Sequence, residues 1–186
     1  MNAPETERAR LDDSLLLVVD VQGKLARLMH DSEAMVRAQR TLIRACRLLD
    51  LPVLWAEQLP DKLGATVDEL AEALEGLSPC AKSSFGCMGD PALRAAIAGT
   101  GRSQVLLCGI EAHVCVWQTA AALLEDGYSV HLVADAVSSR RADNKDIALR
   151  RMERAGVCIS NVEMALFELM VDATHPKFRD VTRLLK

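Results

Sequence analysis

The stretch Val105-Leu106-Leu107-Cys108-Gly109-Ile110-Glu111-Ala112-His113-Val114-Cys115-Val116-Trp117-Gln118-Thr119-Ala120 joins two different periodicities. Its first part is a short, continuous apolar run that reads as a buried strand ending at Gly109, where a tight turn follows. From residues 113–115 onward the pattern turns helical, with Val114, Trp117, Ala121 and Leu124 at helical spacing. A strand leading through a turn into a helix is the building unit of a parallel α/β sheet. Cys115 falls in the first turn of the expected helix, among unpaired backbone N–H groups at the positive end of the helix dipole. Both are expected to favour its thiolate, the nucleophilic form of cysteine, and the same N–H groups can bind an oxyanion formed on a carbonyl under attack.

Working outward, three further apolar runs occur at residues 15–19, 52–56 and 129–134, with a weaker one at 157–160. Amphipathic stretches at 33–49, 114–125 and 144–155 alternate with them, and Ser160-Asn161-Val162-Glu163 reads as a capping box opening a helix toward Met170. Alternation of this kind implies a three-layer α/β/α sandwich around a parallel sheet, with ligands bound beyond the carboxyl ends of the strands. The 186 residues form one expected domain, 1–186, with 1–13 as a flexible N-terminal tail.

Composition narrows the function classes. The net charge is −4 and the 22 Lys and Arg are interleaved with acids, so no nucleic-acid footprint is expected. No apolar run is long enough to span a bilayer and no signal peptide is evident, so no membrane partner is expected either. The six cysteines, Cys46, Cys80, Cys87, Cys108, Cys115 and Cys158, contain no C-x-x-C pair and no histidine at ligand spacing. They read as free thiols of a cytoplasmic protein in a reducing compartment.

Two polar residues stand out against this background. Asp20 directly follows the run Leu15-Leu16-Leu17-Val18-Val19, at the mouth of a buried strand, where it is either a loop acid or a cleft carboxylate. Lys82 is the only charged residue between Glu75 and Asp90, and beside a carboxylate and a thiolate it would serve as proton shuttle and electrostatic partner. His113 is no obvious base for Cys115, because side chains two apart on a helix do not face one another. Gly99-Thr100-Gly101 precedes a strand rather than following one, so it is not a dinucleotide fingerprint.

Taken in order, Val18-Val19-Asp20-Val21-Gln22, Glu57-Gln58, Leu63-Gly64-Ala65-Thr66-Val67, Lys82-Ser83-Ser84-Phe85, Gly109-Ile110-Glu111-Ala112-His113-Val114-Cys115 and Val133-Ala134-Asp135-Ala136-Val137-Ser138-Ser139-Arg140 resemble the isochorismatase-like cysteine hydrolases. His175-Pro176-Lys177-Phe178 fits the same group, so the resemblance runs over nearly the whole chain. It implies a six-stranded parallel sheet of Rossmann-like strand order and a catalytic triad of Asp20, Lys82 and Cys115. It also implies a cis peptide at Ile110–Glu111, with an oxyanion hole built from Ile110, Glu111 and Ala112 and the N–H of Cys115. Gln22, Phe85 and Trp117 are the residues the resemblance suggests for a substrate pocket, although Trp117 at helix spacing also fits a core.

The nicotinamidases of this family hold a metal through an Asp-x-His pair and a further His, and here no histidine occurs between His30 and His113. No metal and no cofactor are therefore expected. The resemblance implies metal-independent hydrolysis of an amide or ester-like bond in a small-molecule substrate, through a thioester on Cys115, by a homo-oligomer. Two alternatives stay open: a non-catalytic binding or assembly protein on the same fold, and a thiol-redox protein using Cys115 with Cys80 or Cys87 as resolving thiol.

Overall fold

A computed structural model describes residues 8–186. The expected strands are present as β1 (Ser14–Val19), β2 (Val53–Gln58), β4 (Gln104–Ile110), β5 (Ser129–Ser138) and β6 (Cys158–Ser160). A sixth, β3 (Cys80–Lys82), lies where periodicity predicts none. Among the described residues these form one sheet in the order β3-β2-β1-β4-β5-β6, every neighbouring pair parallel. The crossovers are α1 (Gly23–Arg27), α2 (Ser32–Leu48), α3 (Pro60–Leu63), α4 (Asp68–Ala73), α5 (Pro91–Gly99), α6 (Trp117–Glu125), α7 (Ala142–Arg154) and α8 (Val162–Met170), with α9 (Phe178–Leu184) at the end.

The continuous apolar runs are explained by cover on both faces of the sheet. All six residues of β1 are buried, and their side chains alternate between two cores. Leu16 and Val18 pack with residues of α2, α4, α8 and α9, whereas Leu15, Leu17 and Val19 pack with residues of α5, α6 and α7. This is the three-layer sandwich.

Strand order reverses between β1 and β4, which opens a crevice at their carboxyl ends. The two strands approach so closely there that Gly109 has no room for a side chain. At its φ of +125° a Cβ would lie 2.1 Å from the carbonyl oxygen of Val19. The β4–β5 register also shifts here, Leu107 pairing with Leu132 and Gly109 with Val137.

Part of the expected tail makes contacts with the body of the domain. Ala9 is 1% exposed and its N–H donates to Glu168 Oε2 at 2.9 Å, while the Arg10 N–H donates to Gln104 Oε1 at 2.7 Å. Residues 8–13 are thus pinned to α8 and β4, and residues 1–7 of the expected tail lie outside the described residues.

Gly109→Ala is expected to destabilise the fold by more than about 3 kcal/mol, because it combines a disfavoured φ with an overlap that only strand separation relieves. Urea denaturation of the variant checks this, and a wild-type midpoint would contradict it.

Candidate active site

Four strand ends converge at the crevice. β1 delivers Asp20, which takes a left-handed φ of 55° and donates its N–H to Ala56 O at 3.1 Å, so the chain turns sharply with the carboxylate held inside. β3 delivers Lys82, whose side chain has 0% exposure. Its Nζ donates to Asp20 Oδ2 at 2.6 Å, Gln58 Oε1 at 2.7 Å, Phe85 O at 2.9 Å and Ser84 O at 3.1 Å. Only acceptors face this nitrogen, which is the environment of an ammonium ion. Gln58, from the end of β2, is oriented by its own Nε2, which donates to Ser83 O at 2.8 Å.

β4 delivers the cysteine through a wide turn. The Ile110–Glu111 peptide is cis, and the chain then makes one π-helical turn over Ala112–Val116 before α6 begins. The Glu111 carbonyl collects the N–H groups of Val114 at 3.0 Å and Val116 at 3.2 Å. Cys115 is 8% exposed. Asp20 Oδ1 is buried with no hydrogen-bond partner of ordinary geometry, and the Cys115 thiol is the donor that interacts with this carboxylate.

The electrostatics reverse the expectation of a ready-made thiolate. Burial, and then the charge of Asp20, push the Cys115 thiol up to about 12, with Lys82 opposing the shift. Desolvation and a neighbouring carboxylate outweigh whatever one wide helical turn offers. Asp20 itself is raised above its ordinary value, because burial outweighs the favourable charge and hydrogen bond of Lys82. The resting pair is therefore a neutral thiol beside a carboxylate of increased basicity.

The remaining expected residues divide. Ile110 and Ala112 are wholly buried on either side of Glu111. The Glu111 carboxylate accepts the Arg140 N–H at 2.9 Å and Arg140 Nε at 3.1 Å, so it ties the turn to the loop after β5. Gln22, expected in the pocket, braces the backbone here. It is fully buried, its Nε2 donates to Gln58 O at 3.1 Å and Gly64 O at 2.6 Å, and its Oε1 accepts the Gln58 N–H at 2.7 Å. Phe85 is 56% exposed, while its carbonyl helps to hold Lys82. Trp117 is half-buried against the α5–α7 core, with the Arg151 guanidinium 4.4 Å from its ring centroid.

Sequence reasoning missed Gln58 as a site residue. The signal was a buried strand ending in two polar residues, Glu57 and Gln58. His113 has its ring nitrogens engaged by Ser139 Oγ at 2.9 Å and Asn144 Nδ2 at 3.4 Å, a structural setting. Among the described residues no group of three or more His, Cys, Asp and Glu side chains is arranged to hold a metal ion.

This geometry can be set beside known proteins. The isochorismatase domain matches residues 14–164. The chain belongs to the isochorismatase domain family. A Danio rerio relative, isochorismatase domain-containing protein 2, is 41% identical over 92% of this chain and 86% of its own length. A Phytophthora sojae relative, the secreted isochorismatase effector Isc1, is 38% identical over 93% of this chain and 84% of its own. Among solved structures, the MAR1 ribonuclease of Caenorhabditis elegans superposes with a TM-score of 0.90 at 38% identity, covering 96% of this chain and 92% of that one. YcaC from Pseudomonas aeruginosa, solved with hexane-2,5-diol and covalent acrylamide, gives a TM-score of 0.92 at 24% identity over 98% and 93% of the two chains. YcaC from Escherichia coli, described as an octameric hydrolase of unknown specificity, gives 0.87 at 22% identity over 98% and 97%. At these last two identities the likeness is one of fold. The chain thus has an isochorismatase-family hydrolase fold.

The signs of the two charges next to Cys115 make a direct prediction. Asp20→Asn removes the charge that raises the thiol pKa, so the pH dependence of Cys115 alkylation is expected to move to lower pH. Lys82→Met removes the opposing charge and is expected to move it to higher pH. Site-resolved mass spectrometry of alkylated protein reads both shifts, and an unmoved or inverted pair of profiles would contradict this geometry.

Proposed function

We propose that the protein is a metal-independent cysteine hydrolase that cleaves an amide C–N or ester-like bond of a small molecule through a thioester on Cys115. The observation that carries this reading is a buried Asp20 carboxylate that interacts with the Cys115 thiol, its Oδ2 held by a fully buried lysine and its Oδ1 left without a hydrogen-bond partner. An unpaired carboxylate oxygen inside a protein is costly, and it is useful where a proton must be received.

In the proposed acylation, Asp20 Oδ1 takes the thiol proton as Sγ bonds to the substrate carbonyl carbon, so no free thiolate precedes attack. The carbonyl electron pair becomes an oxyanion, received by the backbone N–H groups of Ala112 and Cys115. When the oxyanion collapses, the C–N or C–O bond breaks and the leaving group takes the proton from Asp20. Water then attacks the thioester and gives its proton to Asp20. Breakage of the C–S bond releases the acid, and the proton returns to sulfur. Lys82 keeps Asp20 anionic between steps and fixes the direction of its free oxygen.

Two features favour this reading over its rivals. The Lys82 ammonium is divided among four protein acceptors and has no donor left for a phosphate, so ribonuclease chemistry, named for the Caenorhabditis elegans relative, is not carried across. Cys87 is a poor resolving thiol, since it has 0% exposure and burial pushes it up to about 12. The proposal includes self-association, in keeping with the octamer described for the Escherichia coli protein. No helix of the described residues is long and apolar enough to cross a membrane.

The test is acylation by p-nitrophenyl acetate, followed by a panel of small amides. Nitrophenolate release with an acetyl group on Cys115 alone is expected, absent in Cys115→Ala. Asp20→Asn is expected to lower turnover by about 10²–10⁴-fold. Turnover retained in Cys115→Ala, or acetylation spread evenly over the six cysteines, would overturn the reading.

A further inference from the structure

Thr119 lies one turn beyond Cys115 in α6, with 0% exposure. Its hydroxyl donates to the Cys115 carbonyl at 2.7 Å. A threonine bonded back to the carbonyl four residues earlier is common in helices and by itself says little. Here the same oxygen also accepts the N–H of Cys87 at 2.9 Å, across 32 residues of sequence.

That second bond reaches the other half of the site. Cys87 begins the short 3₁₀ turn Cys87–Gly89, which closes the loop after β3. The carbonyls of Ser84 and Phe85 in this loop hold the Lys82 ammonium, and the Ser83 carbonyl orients Gln58. The seam between loop and helix is tight as well. A Cβ on Gly86 would stand 3.1 Å from the carbonyl carbon of Gln118 and 3.2 Å from its Cβ and carbonyl oxygen. One buried oxygen therefore joins the residue that carries the thiol to the loop that cages the lysine.

We propose that Thr119 is a positioning residue that sets the distance between Cys115 and the Asp20–Lys82 pair by bridging the Cys115 carbonyl to the Cys87 N–H. This inference rests on the cysteine-hydrolase reading. Valine has nearly the shape of threonine but makes neither bond, leaving the Cys87 N–H buried without this partner and the seam free to slide. Serine keeps the hydroxyl. Misplacing the thiol affects the reacting geometry more than substrate capture, so the effect belongs in kcat rather than KM.

The experiment is steady-state hydrolysis of p-nitrophenyl acetate by the full chain, with folding checked by circular dichroism. Thr119→Val is expected to lower kcat about tenfold at unchanged KM, with Thr119→Ser within about twofold of wild type. Full kcat in Thr119→Val, or a Thr119→Ser as slow as the valine variant, overturns the inference while Cys115→Ala remains inactive. If Cys115→Ala is as active as wild type, the hydrolase reading itself has failed. Should Thr119→Val not fold, Gly86→Ala perturbs the same seam from the loop side. Lowered kcat at unchanged KM then supports the proposal, and wild-type kcat overturns it.

Discussion

Lys82, its side chain wholly out of solvent, and Asp20, 3% exposed on its side chain, meet at 2.6 Å at the carboxyl ends of β3 and β1. Taking two charges out of water costs several kcal/mol per ion, and the mutual attraction repays it only when the remaining donors and acceptors are also satisfied. Much of the local architecture answers that requirement. The loop after β3 turns back to offer the carbonyls of Ser84 and Phe85, β2 ends in Gln58 to offer an amide oxygen, and Gln22 grips both backbone groups of Gln58. Asp20 Oδ1 is left without a hydrogen-bond partner, and the Cys115 thiol interacts with the same carboxylate. Oδ2 of the carboxylate is spent on holding the charge in place, which leaves Oδ1 for chemistry.

Most of the sheet was legible in the sequence, for a physical reason. Strands covered on both faces must be apolar throughout, and β1, β2, β4 and most of β5 carry that signature. β3 did not, because its three residues lie at the sheet edge, with Cys80 half-buried, Ala81 exposed and Lys82 buried for its charge rather than its hydrophobicity. The pinned residues 8–13 were illegible because their order comes from distant partners, Glu168 and Gln104. The short helices α1, α3 and α4 have too few turns for a periodic stripe.

At the site, position was easier to read than chemistry. Strand ends drew attention to Asp20 and Cys115, the former open between loop acid and cleft carboxylate, and isolation in an uncharged segment to Lys82; the resemblance alone grouped the three. The protonation state did not follow. A cysteine expected early in a helix suggests a thiolate, yet Cys115 sits in a π-helical turn, buried and facing a carboxylate, and both influences favour the neutral thiol. The roles of Gln22 and Gln58 were likewise invisible, because an amide that braces a backbone and an amide that lines a pocket have the same letter in the chain.

The central claim is that Asp20, not a pre-formed thiolate, activates Cys115. Its most direct test is the pH dependence of kcat/KM for p-nitrophenyl acetate, which reports the ionisations of the free enzyme. Since Asp20 is raised above the ordinary carboxylate value and must be unprotonated to accept the thiol proton, activity should fall as pH drops through that raised value. It should level off above that value, before the thiol at about 12 begins to ionise. A rate that instead climbs with pH through the free-thiol range near about 8.5 would mean that thiolate formation limits attack, and would contradict the account.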